Sequence, residues 1–116
     1  MVTEVSIDEY DAVAFIGGPG MAQIVDDDSL QVLAKRFFNS KKLTAAICVA
    51  PVILAKADIL KGRNATAWSG VKEKLTEVGA NYIDKKVIVD GHIITADGPE
   101  AAREFGKEIA KRILQN

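Results

Sequence analysis

Cys48 is the only cysteine of this 116-residue chain, and it stands where the sequence pattern changes abruptly. An uncharged, mostly apolar run of strand length precedes it, and an amphipathic helical pattern starts at Ala50 and Pro51 without intervening loop residues. Ala46 and Ala50 are the small residues found two positions before and after the cysteine. Because a nucleophile elbow needs small residues at these positions of its strained strand-to-helix turn, the spacing predicts Cys48 as a catalytic nucleophile.

The predicted turn places the thiol at the start of a helix. Pro51 suits the first helical turn, where its missing N–H removes a donor that would have no intrahelical partner. The remaining unpaired amides and the aligned peptide dipoles favour an anion, which makes a thiolate there a better nucleophile or redox centre. A small, buried, unreactive cysteine fits the same position, since free cysteine is among the most buried residue types. The residues alone leave both interpretations open.

A glycine-rich segment follows another predicted strand. The charge-free run 12–16 is typical of a strand buried on both faces of a parallel sheet, and Gly17, Gly18, Pro19 and Gly20 come directly after it. Glycines let backbone N–H groups approach a ligand closely, so the segment is a candidate cradle for an oxyanion or phosphate, with Gly17 and Pro19 as pocket-lining candidates. It matches neither a P-loop nor a dinucleotide fingerprint, and a tight turn is the alternative interpretation.

Strand and helix patterns alternate along the chain and end in a hairpin and a last helix. This order predicts the α/β class, with a mainly parallel sheet, an antiparallel addition and right-handed crossovers. Ligands bind beyond the carboxyl ends of the strands in such sheets, and both Gly18 and Cys48 follow a carboxyl end. If the two strands are neighbours, the N–H groups of Gly18 and Val49 converge beside the thiol as an oxyanion hole.

Three further features have both a structural and a functional interpretation. Trp68, the sole tryptophan, ends a candidate strand at 64–68, where it either lines a pocket or packs at the rim, and Ser69 is predicted to cap the next helix. His92, the sole histidine, falls in an Asp-Gly hairpin turn, and we interpret it as a solvent-exposed structural residue. The aspartates at 26–28 favour a helix cap over a metal site.

Composition indicates one domain spanning residues 1–116. Lys and Arg number 15 against 16 Asp and Glu, for a net charge of -1, and the two signs are interspersed, so neither nucleic acid nor a membrane is expected as a partner. A single cysteine permits no internal disulfide, and no basic-then-apolar leader opens the sequence, so a reducing cytoplasm is the expected location. No metal or cofactor is expected.

Three segments resemble the ThiJ/PfpI family, which includes PfpI-type intracellular proteases and a parkinsonism-associated deglycase-like protein. They read YDAVAFIGGPG, AAICVAPVILAKADILKGRNATAW and VDGHIITADGPEAAREFGKEIAK, and they follow one another in family order over nearly the whole chain. The resemblance implies a flavodoxin-like, three-layer sandwich of the class I glutamine amidotransferase type. It also implies Cys48 as the elbow nucleophile, Gly18 and Val49 as oxyanion donors, oxidation of the thiol in some members, and common oligomerisation.

The chain departs from the family pattern at three places. PfpI-type members carry a histidine directly after the cysteine, where this chain has Val49, and the deglycase-like branch carries one near the end of the next strand, where this chain reads Ala67, Trp68 and Ser69. The family glutamate belongs to an upstream segment that precedes the matched blocks. We therefore expect an N-terminally truncated domain with run 12–16 as an open edge, which self-associates or binds a separate fragment.

Three functions fit these residues. The first is a cysteine hydrolase, either a peptidase or amidase or a glyoxalase or deglycase, acting on a peptide or a small carbonyl compound through Cys48. The second is a non-enzymatic redox or stress-response protein with an oxidisable thiol, and the third is an inactive truncated homologue. Since the family histidine and glutamate find no match in this chain, whether it is an enzyme stays open at this point.

Overall fold

The computed structural model describes residues 12–16 and 28–114, which form six strands and four helices. Short 3-10 turns at Ser69–Val71 and Pro99–Ala101 lead into the last two helices. The elements are β1 (Ala12–Ile16), α1 (Asp28–Asn39), β2 (Leu43–Ile47), α2 (Pro51–Lys56), β3 (Asn64–Ala65), α3 (Lys72–Glu77), β4 (Asn81–Tyr82), β5 (Val87–Asp90), β6 (Ile93–Ala96) and α4 (Ala102–Leu114).

The main sheet has four strands in the order β1-β2-β6-β5. β1, β2 and β6 are parallel, and β5 joins β6 as an antiparallel hairpin partner. We call the edge where β1, β2 and β6 end the carboxyl edge, and the edge where β2 and β6 begin the amino edge. The predicted α/β class, the parallel sheet and its antiparallel addition are confirmed. The hairpin turn contains Gly91 at a φ of 62°, which is the conformation that the Asp-Gly signal predicts.

β2 is the central strand and is buried along its whole length. Leu43, Ala45 and Ile47 belong to a core cluster with Phe105 of α4, whereas Ala46 belongs to a second cluster built largely by α1 and α2. Successive side chains of a strand point to opposite faces of the sheet, so the two clusters lie on its two sides. The molecule therefore has three layers, with β2 at the centre of the middle one.

β1 differs from the prediction that it is buried on both faces. Only Phe15 is buried in this strand, while Ala14 is exposed and Ile16 is 74% exposed. Among the described residues β1 pairs with β2 alone, and α4 packs on β2 and β6 rather than on β1. An apolar sequence could not reveal this, because the burial of a strand depends on its neighbours in the sheet.

The segment after α2 also corrects two predictions. The candidate strand 64–68 is a strand only over Asn64–Ala65, where it pairs in parallel with Asn81–Tyr82 in a separate two-stranded sheet that the sequence did not predict. Ser69 does not cap a helix, because it lies inside the 3-10 turn, and the residue that precedes α3 is Val71, which makes no side-chain cap. No helix within residues 28–114 has the length and apolar character needed to cross a membrane.

Candidate functional site

Cys48 adopts a left-handed backbone conformation between β2 and α2. Its φ is 67°, a region that side-chain-bearing residues enter at a cost of about 1–3 kcal/mol. Lys41 and Asp58 also have positive φ values, but each follows the end of a helix, where a left-handed residue is a common terminator. Cys48 instead follows a strand and precedes a helix, which is the backbone geometry of a nucleophile elbow.

The residues around the turn are small and tightly enclosed. Ala46 and Ala50 are both fully buried, and Pro51 is the first residue of α2. A larger side chain at either alanine would overlap the core, because protein interiors are packed without spare volume. The two alanines thus have the role in packing that the spacing of small residues predicts.

Backbone hydrogen bonds hold Cys48 from two sides. Its N–H donates to the carbonyl of Ala96 at the end of β6 over 2.9 Å, and its carbonyl accepts the N–H of Trp68 over 2.8 Å. The cysteine is therefore fixed between the last residue of the neighbouring strand and the segment that follows β3. These contacts supply the support that a left-handed, non-glycine residue requires.

The thiol is free and partly exposed. Cys48 lies in the intermediate burial class and packs against the core cluster on the α4 side of the sheet. Hence its side chain is neither fully enclosed among aliphatic groups nor fully in solvent. Cys48 is thus a partly exposed residue at the carboxyl edge.

One of the two predicted oxyanion donors lies beside the thiol. Val49 follows Cys48 in the turn, and its N–H has no hydrogen-bond acceptor within residues 12–16 and 28–114. Gly17, Gly18 and Pro19, the other predicted site residues of the carboxyl edge, lie outside the described residues. The strand that precedes them is nevertheless the neighbour of β2, with Ile16 opposite Ile47, which fulfils the condition on which the two-amide prediction depends.

Trp68, the remaining site candidate, is half exposed. The residue is 51% exposed, and its indole lies across Gly70, where an added methyl group would come within 2.7 Å of Cε3 and closer still to Cζ3 and Cη2. The indole can therefore occupy this position only because residue 70 is a glycine and has no side chain. Since the Trp68 N–H bonds the Cys48 carbonyl, the two residues are direct neighbours.

Residues that the sequence did not single out support this neighbourhood. The hydroxyl of Tyr82 donates to the carbonyl of Ala67 over 3.3 Å, and the N–H of Thr66 donates to Oγ1 of Thr95 over 2.9 Å. Both threonines are buried, and Oγ1 of Thr66 has no hydrogen-bond partner within the described part of the chain. No local signal marks these residues, because each contact joins segments that are far apart in sequence.

The single histidine is remote from the thiol. The carbonyl of His92 accepts the N–H of Thr44, near the start of β2, and Cys48 lies four residues further along. At about 3.3 Å per residue this separates them by roughly 13 Å, so His92 is no proton partner for Cys48 within one chain. His92 is exposed, as the hairpin interpretation predicts. Residues 12–16 and 28–114 contain no group of three or more potential metal ligands.

Polar side chains at the amino edge bond one another. Asp90 accepts the N–H of Asn64 over 2.7 Å and lies 3.6 Å from the guanidinium of Arg63. That guanidinium stacks over the ring of Phe38 at 4.7 Å from its centroid, and Asn81 donates its side-chain amide to Asn64 over 2.8 Å. This network ties the small sheet β3-β4 to the β5-β6 hairpin and to α1, which gives these charges a structural role.

Comparison with known proteins identifies relatives over nearly the whole chain. The DJ-1/PfpI family profile matches residues 1–112. The uncharacterized protein MJ0967 of Methanocaldococcus jannaschii is 42% identical over 99% of this chain and 58% of its own length. Deglycase PfpI of Pyrococcus furiosus is 32% identical over 93% of this chain and 65% of its own length. The chain thus spans about three-fifths of the length of these curated relatives.

The same relationship holds for solved structures. A ThiJ/PfpI domain protein from Brachyspira murdochii superposes with a TM-score of 0.95 at 35% identity, covering 97% of this chain and 65% of that protein. This neighbour has the flavodoxin-like fold that the sequence resemblance implies, so the predicted fold class is confirmed.

Proposed function

Because this chain belongs to the DJ-1/PfpI family, we propose that Cys48 is the nucleophile of a glyoxalase- or deglycase-type reaction on a small reactive carbonyl compound. The observation that carries the proposal is the left-handed turn at Cys48, which holds the sole, partly exposed thiol between a strand end and a helix start. The relative named Deglycase PfpI supports the choice of substrate class.

The first chemical step is addition of the thiol across the carbonyl group. The sulfur of Cys48 forms a bond to the carbonyl carbon, the carbon–oxygen π bond breaks, and the thiol proton ends on the oxygen, which yields a hemithioacetal. Negative charge that develops on the oxygen is stabilised by the N–H groups of Val49 and Gly18. The N–H of Val49, which has no acceptor in the described part of the chain, supports this role, and the Gly18 amide is its expected counterpart.

Addition to an aldehyde or ketone suits this site better than cleavage of a peptide bond. Expelling an amine requires an acid that protonates it, and histidine usually fills that role. The only histidine, His92, belongs to the amino edge, roughly 13 Å along β2 from Cys48. The addition step expels no amine and so makes no such demand, and in this proposal solvent carries the later proton shift from carbon and supplies the water that releases lactate and the Cys48 thiol.

The test is conversion of methylglyoxal to lactate by the purified chain. We expect turnover by the wild type and only the uncatalysed background with Cys48→Ala and Cys48→Ser, because neither variant supplies a thiolate. Circular dichroism of each variant checks that the fold is kept. Turnover by a folded Cys48→Ala protein at the wild-type rate would refute the assignment of the nucleophile.

The alternative function is a redox sensor, which the distance between Cys48 and the histidine favours, because oxidation by peroxide needs no second residue. A thiolate attacks one oxygen of hydrogen peroxide, the O–O bond breaks, hydroxide leaves and takes a proton from solvent, and a sulfenic acid forms, with a second equivalent of peroxide giving the sulfinic acid. Mass spectrometry after peroxide treatment detects the added oxygen atoms on Cys48. Oxidation of Cys48 without carbonyl turnover would favour the redox sensor over the enzyme. For both functions the proposed location is a reducing cytoplasm, where a free thiol persists.

We also propose that the edge strand β1 is the association surface of this protein. It is apolar, it pairs with β2 alone among the described residues, and Ile16 is 74% exposed. An open strand edge of this kind pairs with another chain, and a charged residue blocks such pairing. We expect an oligomer in light scattering at micromolar concentration and a monomer after Ile16→Lys. A wild-type monomer would contradict self-association. The remaining proposal would then be that β1 binds a separate fragment.

A further inference from the structure

Trp68 is an exposed aromatic residue whose position is fixed before any ligand binds. Its backbone N–H is bonded to the Cys48 carbonyl over 2.8 Å, and its indole lies across Gly70, which has no side chain to displace it. The residue is nevertheless half exposed to solvent. Trp68 is therefore joined to Cys48 through the backbone, and its indole is packed against Gly70 while the residue stays half exposed, which leaves it able to contact a ligand at the carboxyl edge.

The residues next to Trp68 reinforce this arrangement. The carbonyl of Ala67 accepts the hydroxyl of Tyr82, and Nζ of Lys72 lies 5.4 Å from the centroid of the Tyr82 ring. Ala67 itself is fully buried. The segment that carries the indole is therefore bonded to the Cys48 turn and to β4, which reduces the backbone freedom that it can lose when a ligand binds.

We propose that Trp68 is a specificity-determining residue of the Cys48 site, and that it selects carbonyl compounds carrying a flat aromatic or extended apolar group. The inference rests on the proposed function and extends it from reactive carbonyls in general to a substrate class. Aromatic faces attract other flat groups by stacking, and the burial of the remaining indole surface adds a hydrophobic contribution. A small, hydrophilic carbonyl compound gains neither contribution.

The experiment uses two maleimides of equal chemistry and different shape, N-ethylmaleimide and N-phenylmaleimide. Because Cys48 is the only cysteine, the alkylation rate reports on this one site. The ratio of the phenyl rate to the ethyl rate is divided by the same ratio for N-acetylcysteine, which removes the intrinsic difference between the reagents. The variants are Trp68→Ala and Trp68→Phe, with Val32→Ala as control, since Val32 is 52% exposed on α1.

We expect the wild type to favour the phenyl reagent and Trp68→Ala to lose about 2- to 12-fold of that preference, the range measured for aromatic pairs. Trp68→Phe should retain part of the preference and Val32→Ala all of it. Gly70→Ala, which pushes the indole aside while keeping it in the protein, should lose the preference as Trp68→Ala does. An unchanged ratio in Trp68→Ala would overturn the inference.

A second readout separates this inference from the proposed function. Trp68 is the only tryptophan, so alkylation of Cys48 by N-phenylmaleimide should change its fluorescence emission, whereas a ring that points away from the thiol gives no change. If Cys48 reacts but shows no preference between the two maleimides and no fluorescence change, the role of Trp68 is refuted, while Cys48 can still be the nucleophile. If the protein shows no carbonyl turnover but Cys48 still prefers N-phenylmaleimide, the proposed enzymatic function is refuted, while Trp68 still selects ligands at this site.

Discussion

The two edges of the main sheet hold chemically reactive side chains in opposite ways. At the amino edge, the carboxylate of Asp90 bonds the N–H of Asn64 and lies beside Arg63, whose guanidinium is stacked on Phe38. At the carboxyl edge, Cys48 is held by its backbone N–H and carbonyl, while its thiol stays free and partly exposed. At the amino edge the side chains themselves make the contacts that stabilise the fold. At the carboxyl edge the backbone of Cys48 makes these contacts, and its thiol is left free.

This difference explains why the charged residues are poor guides to function in this chain. Arg63 and Asp90 form an ion pair with one another, so their charges mark a contact between β5 and the segment that precedes β3. Cys48 takes a left-handed backbone conformation between a strand and a helix, whereas Lys41 and Asp58 take theirs after helix ends, and such strain is maintained only where neighbouring contacts impose it.

Removing a buried acceptor at the carboxyl edge should have the largest effect on stability. Thr95→Val leaves the N–H of Thr66 without its acceptor in the interior, so we expect the free energy of unfolding to fall by about 1–3 kcal/mol. The measurement is urea denaturation. The matched control is Thr66→Val, which removes a buried hydroxyl oxygen that has no partner among the described residues and should not destabilise the protein. Equal losses in both variants would argue against the assigned hydrogen bond.

Relieving the strain at Cys48 should stabilise the fold and abolish its chemistry. Glycine enters the left-handed region freely, so we expect Cys48→Gly to be about 1 kcal/mol more stable than Cys48→Ala, with no carbonyl turnover in either variant. Thermal unfolding with matched turnover assays measures both effects. Lys41→Gly compared with Lys41→Ala should gain similar stability at another left-handed position and keep turnover. A Cys48→Gly variant less stable than Cys48→Ala would mean that the turn is unstrained.

Removing the contacts of Asp90 at the amino edge should lower the stability of the fold without changing turnover at Cys48. Asp90→Ala removes the acceptor of the Asn64 N–H together with a partly exposed ion pair, so we expect a loss of about 1 kcal/mol in the free energy of unfolding. Asp90→Asn keeps an acceptor oxygen and should lose less. Carbonyl turnover at a temperature where the variants are folded should equal that of the wild type, and a drop in turnover would give Asp90 a role beyond structure.

Replacing the only histidine should have the smallest effect. His92 is exposed at the hairpin turn, so His92→Ala should change the free energy of unfolding by no more than about 0.5 kcal/mol. Its rates of turnover and of alkylation at Cys48 should match the wild type, measured across the pH range in which histidine titrates. A loss of activity confined to that range would show that His92 reaches the thiol of another chain.

Long elements with a clear period could be predicted from the sequence, and short ones could not. The strands at 12–16 and 43–47, the helices beyond them and the β5-β6 hairpin all follow from hydrophobic pattern and turn residues. The pair β3-β4, two residues in each strand, has no periodic signal, and the exposure of β1 depends on its place in the sheet. Sequence pattern records local preference, whereas these two features depend on distant partners.

The same limit applies to the site. The small residues around Cys48 predicted a strained turn, because local crowding at Ala46 and Ala50 is visible in the sequence itself. Trp68 is a pocket candidate from its place at a predicted strand end, but its hydrogen bond with Cys48 could not be predicted, since it joins segments twenty residues apart. Gly70 reads as an ordinary turn glycine until the indole is seen lying across it.

The central claim is that the turn presents the Cys48 thiol for reaction, and the rate of its alkylation by iodoacetamide tests this most directly. The rate is measured at neutral pH in the folded chain and in the urea-unfolded chain at matched reagent concentration. The account predicts reaction in the folded chain at least as fast as in the unfolded chain, because the turn holds Cys48 partly exposed at the carboxyl edge, next to the N–H of Val49, which has no acceptor among the described residues. Slower reaction in the folded chain would mean that Cys48 is a buried structural residue, and would contradict the account.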